Sequence, residues 1–407
     1  MNAINNPENI QAGHIMASAG GMEKAVSKIL FDSLDKKHID ALLIPVKAPE
    51  THAYAWVLMK NPELLKDARA LPPVLTVQGG HVLSDISKHG KADHTIAAVL
   101  RPCELHAAVE LTKFNQINLE HIILISIDCP GAFPLTQYMS SPQKYEEAFS
   151  EMLTTWEDSE DLRPVCQVCE RFSLDMTQRG ESNGPTEDDF ITADLHIGFL
   201  GGGNSRIYLA PSTEKGRAFL EKAGLHTDDS LEEWTSAVRK RTDIRTNKRQ
   251  DFNTKLQSDL EGAEKLSSAF DDCINCHNCM RVCPICYCQQ CYFDSQYLRL
   301  GPEEYMERAE QRGGLRFPLD TIQFHLGRMS HMVLSCVSCG ACEDACPMDV
   351  PVAQIFSMVG DRTQDVFNYK PGRNRNEPLP LQSFRKEEFC NVETPSECGG
   401  GNIRETS

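Results

Sequence analysis

CINCHNCMRVCP at residues 273–284 and CVSCGACEDACP at residues 336–347 decide how this chain reads. Both follow C-x2-C-x2-C-x3-C-P. In that run three closely spaced thiolates cap one face of a [4Fe-4S] cubane, and the fourth cysteine, before proline, ligates the other cluster. Crossing the fourth cysteines assigns Cys273, Cys276, Cys279 and Cys346 to one cluster and Cys336, Cys339, Cys342 and Cys283 to a second. Zinc ribbons need paired C-x2-C units, a pattern these runs do not follow. Two such clusters move electrons, so electron transfer is the expected task.

Between the runs, Pro302 to Gln311 and Leu319 to Met329 carry apolar residues at helical spacing where a compact small ferredoxin has only a short connection. This arrangement resembles the α-helical ferredoxin modules of fumarate reductase and heterodisulfide reductase iron-sulfur subunits. FHLGRMSHMVLSCVSCGACEDACPMDVPVAQIF at 324–356 looks like theirs. Cys286, Cys288 and Cys291 exceed the eight-ligand count, which leaves them as packing residues, alternative ligands or ligands of a further metal.

The rest of the composition narrows the setting. A chain of 407 residues is long enough for two or three domains with their own cores. A formal charge of -17 leaves no basic face for nucleic acid and disfavours anionic membrane surfaces. No apolar stretch approaches the length of a membrane span, and MNAINNPENIQAGH has neither a charged n-region nor an apolar h-region. The chain is therefore expected in the cytoplasm. There its 17 bunched cysteines suit metal ligation better than a disulfide framework.

Upstream of the cysteine runs the pattern is α/β. ALLIPV at 41–46, VLTV at 74–77, TIAAVLR at 95–101, HIILISI at 121–127 and Ala193 to Leu200 read as buried strands. Glu104 to Gln116 reads as a crossover helix, which implies a parallel or mixed sheet. Residues 140–165 and 180–190 read as surface loops, and Thr213 to Phe270 as charged helices leading out of the sheet. The expected organisation is an α/β domain at 1–265, an α-helical ferredoxin-like domain with two [4Fe-4S] clusters at 266–385, and a mobile tail at 386–407 that includes Cys390 and Cys398.

Several upstream segments carry a family likeness. SAGGMEKAVSKIL at 18–30, AAVLRPCELHAAVELTKFNQINLEHIILISIDCPG at 97–131, and RPVCQVCERF with ADLHIGFLGGG within 163–203 resemble the coenzyme F420 hydrogenase/dehydrogenase β-subunit family. Within it the likeness is nearest to formate dehydrogenase β subunits, where CPICYC recurs as at 283–288. The resemblance implies FAD in the α/β domain, exchanging hydride with the deazaflavin of coenzyme F420. A flavin takes two electrons together and releases them singly, which clusters alone cannot do with hydride.

The same resemblance implies a further [4Fe-4S] cluster beside the flavin. Cys103, Cys129, Cys166 and Cys169 are the cysteines left in that domain, and Cys103 and Cys129 each follow a strand, so both thiols can meet at one sheet edge. A zinc site on these ligands, or merely buried thiols, are the alternatives. For the flavin, Ser18, Gly20 and Gly21 before a helix form a candidate phosphate turn, although a Gly-Gly turn is often only a turn. Lys24, Lys28, Arg101 and Pro102 flank the same region, and the cations are candidates for the anionic tail of the deazaflavin or else solvated charges. His14, Glu104 and His106 lie near without an assigned role, and no catalytic side chain is named. No G-x-G-x-x-G follows a strand, and Gly201 to Gly203 is a weak substitute.

The resulting expectation is a flavin and iron-sulfur subunit linking a small two-electron carrier to a larger redox complex. Its partner would be a formate dehydrogenase or hydrogenase catalytic subunit or a heterodisulfide-reductase-like assembly. The rivals are a flavin subunit serving NADH, ferredoxin or a disulfide, and an electron-transfer adaptor without flavin.

Overall fold

Every residue of Ile96–Leu100 (β4) and of Ile122–Ile127 (β5) is buried, the pattern of parallel strands covered on both faces. A computed structural model describes residues 13–16, 21–48, 52–91, 93–174, 192–203, 206–225, 231–380 and 382. Ser18, Gly20, residues 180–190, Cys390, Cys398 and the expected tail lie outside the described residues.

The sheet has seven strands: Gly13–Met16 (β1), Ala41–Lys47 (β2), Tyr54–Met59 (β3), β4, β5, Leu195–Gly198 (β6) and Arg206–Pro211 (β7). Their order is β1-β7-β6-β5-β4-β2-β3. The four central strands β2, β4, β5 and β6 are parallel, and β3, β7 and β1 add antiparallel edges, so the sheet is mixed. Alternation along the strands builds two cores. Leu42, Ile44, Val99 and Ile125 pack with Met22–Asp35 (α1) and Pro142–Thr155 (α5). Leu43, Ala98, Leu100 and Leu124 pack on the other face with Gly79–Ser87 (α2) and Pro102–Lys113 (α3).

Three expectations change. VLTV at 74–77 is not a strand; it is an irregular approach to α2, buried at Val74 and Leu75 and exposed at Val77, and the strand beside β2 is the half-exposed β3. Residues 140–165 are not loops throughout, because Leu135–Ser140 (α4), α5 and Pro164–Gln167 (α6) occupy much of them, with Tyr145, Phe149, Met152 and Leu153 of α5 buried. Gly201–Gly203 turns into β7 rather than into a helix, which removes the helix N-terminus a dinucleotide site needs.

Beyond the sheet come Glu214–Lys222 (α7), the 29-residue helix Glu232–Leu260 (α8) and Ala263–Ser268 (α9). The C-terminal region is built from Asn278–Arg281 (α10), Pro302–Arg312 (α11), Thr321–Met332 (α12), Ala341–Asp344 (α13) and Val352–Val366 (α14). Its core gathers Phe270, Met280, Ile285, Phe324, Met332 and Phe356. Helix α8 ties the two regions together. Arg245 and Arg241 reach Asp158 at 2.7 Å each, and Arg249 grips both oxygens of Asp361 on α14 at 2.8 Å. No helix among the described residues is long and apolar enough to cross a membrane.

Candidate metal centres

All fifteen described cysteines are free thiols. The two C-terminal runs fold alike. In the first, Asn275 and His277 take left-handed φ values of 54° and 61°; in the second, Ser338 and Gly340 take 55° and 79°. These reversals wrap the backbone around the sulfur atoms, so that Asn275 N–H donates to Cys273 Sγ at 3.4 Å. The Ser338 and Ala341 amides do the same for Cys336 and Cys339. Amides converging on sulfur favour the thiolate, the form that ligates metal.

The runs interlock. Cys273, Cys276 and Cys279 line one partly open cavity with Cys346 from the other run. Cys336, Cys339 and Cys342 line a second, also partly open, with Cys283. Each cavity thus takes three thiols from one run and the fourth from its partner. Among the described residues no three His, Cys, Asp or Glu side chains close on one point as a single ion requires. Four soft donors around a wider space fit a cubane.

Burial pushes the Cys279 and Cys336 thiols up to about 11 and Cys339 to about 12. Cys283 goes the other way, well below the usual thiol range, because it accepts a hydrogen bond from Cys286 and faces the Arg328 cation. Of the surplus cysteines, Cys286 is therefore in contact with a cavity thiol, Cys291 packs on Met280 Sδ at 3.6 Å, and Cys288 is exposed. On the first cavity, His325 lies 3.3 Å from Cys273 Sγ and stacks on Phe270 with ring centroids 4.1 Å apart.

The four upstream cysteines also come together. Cys103 sits in the first turn of α3 after β4, and Cys129 follows the adjacent β5, so both lie at the carboxyl edge of the sheet. Cys166 in α6 and Cys169 just beyond it complete the group. Burial raises the Cys103 thiol, and the neighbouring charges of Glu104, Cys339, Cys129 and Cys166 raise it further. Cys339 of the second cavity is thus a neighbour of the upstream group. The approach is tight: a Cβ on Gly340 would sit 2.9 Å from Val165.

Of the expected flavin residues, Gly21, Lys24, Arg101 and Pro102 lie among the described residues. Gly21 caps α1 at φ 84°, a conformation suited to glycine, and Lys24 is exposed on the outer face of that helix. Pro102 is the first residue of α3, where its missing N–H costs nothing. Arg101 is buried and faces the cysteines: its guanidinium donates to Cys129 Sγ at 3.1 Å, to Gly131 O at 2.9 Å and to Pro72 O. Glu104 bonds the Arg101 and Gly79 amides at 2.8 and 3.0 Å, a structural cap.

Two residues escaped the sequence reading because basic side chains suggest solvent. Arg163 and Arg328 are only 3% and 2% exposed, beside the upstream group and the second cavity. Arg328 was detectable, because it falls at helical spacing on the apolar face formed by Phe324, Met329 and Met332.

Residues 269–350 match the 4Fe-4S dicluster domain, and the relatives the chain matches are oxidoreductase subunits, which is the class of protein it falls in. More particularly, the chain is related to β subunits of F420-dependent formate dehydrogenase, as its motifs implied. It is 28% identical to that subunit of Methanocaldococcus jannaschii over 91% of this chain and 96% of the relative. It is also 28% identical to the formate dehydrogenase 1 β subunit of Methanococcus maripaludis, over 89% and 93%. A chain in a solved structure of the F420-reducing [NiFe] hydrogenase complex from Methanosarcina barkeri superposes with a TM-score of 0.43 at 13% identity, covering 64% of this chain and 97% of that one.

Proposed function

We propose that this chain carries electrons between coenzyme F420 and a formate-oxidising catalytic subunit, using FAD and three [4Fe-4S] clusters. The observation that carries the reading is the adjacency of three thiol groups: two interlocked four-cysteine cavities, the second of which abuts the four cysteines at the sheet edge. The full-length relatives named for F420-dependent formate dehydrogenase support the choice of carrier and partner. When bound, FAD would supply the change from two-electron to one-electron chemistry, and the clusters the one-electron steps.

The protein's own residues hold and insulate these groups. Cys273, Cys276, Cys279 and Cys346 would ligate one cluster, Cys283, Cys336, Cys339 and Cys342 the second, and Cys103, Cys129, Cys166 and Cys169 the third. The reversed amides stabilise the thiolates, and Arg101 neutralises charge at Cys129. The α1 turn at Gly21 and the Arg101-Pro102 step are the flavin contacts we favour, within a domain spanning 1–265. Anaerobic purification tests the assignment by content. It should yield about twelve iron and twelve sulfide per chain with one FAD. Zinc in place of iron, or no flavin, would sink the corresponding part.

A further inference from the structure

Arg328 lies on α12, is 2% exposed, and lines the cavity of Cys283, Cys336, Cys339 and Cys342. All three of its nitrogens are buried, and among the described residues no oxygen or nitrogen accepts from them; the groups beside them are the Cys283 and Cys286 thiols. The Phe356 ring covers one face, 4.6 Å from the guanidinium carbon. Its charge bears first on Cys283 and Cys342, then on Cys286 and Cys279. Among the described residues no carboxylate is hydrogen-bonded to it, whereas the comparably buried Arg163 and Arg249 are paired with Asp344 and Asp361. A buried cation with no carboxylate partner is strongly disfavoured unless something anionic belongs beside it.

We propose that Arg328 is the internal counter-cation of the group held by Cys283, Cys336, Cys339 and Cys342, and that it raises that group's reduction potential. This rests on the reading that those thiols hold a [4Fe-4S] cluster. A cubane with four thiolates is anionic and gains one more negative charge when it accepts an electron, with no bond formed or broken. A fixed cation in a site sheltered from water stabilises the more negative state, and net charge and hydrogen bonds to sulfur are recognised levers on cluster potential. The first cavity has no arginine in its lining; the imidazole beside Cys273 belongs to His325. Arg328 therefore bears more strongly on the second site than on the first.

The test is an anaerobic redox titration of the whole protein, followed by electron paramagnetic resonance, for wild type and for Arg328→Met, Arg328→Gln and Arg328→Lys. With Met or Gln, one cluster should become harder to reduce by at least about tenfold in its reduced-to-oxidised ratio at fixed potential, or about 59 mV for one electron. Lys should stay within about threefold of wild type, and the other cluster should move less. Unshifted potentials in Met and Gln variants that keep both clusters overturn the proposal, as does a Lys variant that shifts as far as Met. If Met and Gln lose a cluster, recovery of its iron in the Lys variant supports the counter-cation, and loss in Lys as well refutes it. Absence of cluster signals from wild type would instead refute the underlying cluster assignment.

Discussion

Arg163 and Asp344 form a buried ion pair that bolts the upstream cysteine group to the second cysteine run. Arg163 precedes α6 and also donates to Leu75 O at 3.0 Å and Cys339 O at 3.3 Å, while the other oxygen of Asp344 accepts from Leu135 N at 2.8 Å. Removing one member of such a pair strands a buried charge and costs about 3–5 kcal/mol. Arg163→Met should therefore lower the thermal midpoint of the loaded protein, and adding Asp344→Leu should recover part of the loss. An unchanged midpoint in the single variant would mean that the pair does not join the two regions.

Cys276→Ser and Cys339→Ser should each remove about four iron and four sulfide, because each takes a ligand from a different cavity. Exposed Cys288→Ala should leave the iron content unchanged. Equal iron in all three variants contradicts the ligand sets.

Cys129→Ser and Cys166→Ser, made in the full chain, should also cost about four iron each, with the two C-terminal clusters still visible by electron paramagnetic resonance. Zinc released from wild type and absent from these variants, with iron and sulfide unmoved, would make the upstream group a zinc site.

His106 gives the protein a pH dependence. Its Nδ1 is buried with no partner among the described residues, and burial, with Arg171 and Lys113 nearby, holds the imidazole at about 3 instead of 6.5. As pH falls below 6.5 the unfolded chain binds a proton that the folded one refuses until near 3, so stability is greatest above that window and declines through it. His106→Gln should flatten the decline in denaturant midpoints measured across the window. A slope identical to wild type would assign it to other groups.

Much of this was legible before any coordinates. The cysteine spacing gave the crossed grouping because it is a local pattern, and the fully buried β4 and β5, apolar but for Ser126, read as central strands. Edge strands were harder: β3 exposes Ala55 and Leu58, and β1 and β7 lie apart in sequence, so neither periodicity nor a hairpin turn marks them. Helix α5 was hidden by its polar outer face and by the prolines around it. Val74 and Leu75 are apolar because they are buried on the approach to α2, which mimics a strand, while Val77 is exposed. Arg101, Arg163 and Arg328 could be read only as cations, since their partners are thiols, carbonyls or an acid remote in sequence.

Electrons are expected to pass from a reduced deazaflavin through FAD to the clusters, and stopped-flow mixing follows that path step by step. Under anaerobic conditions, reduced coenzyme F420 should bleach the flavin absorbance and then the broad iron-sulfur absorbance, while NADH at the same concentration leaves both nearly unchanged. Cys129→Ser should bleach at the flavin and stall before the clusters. Rapid bleaching by NADH with none by reduced F420 would contradict the account.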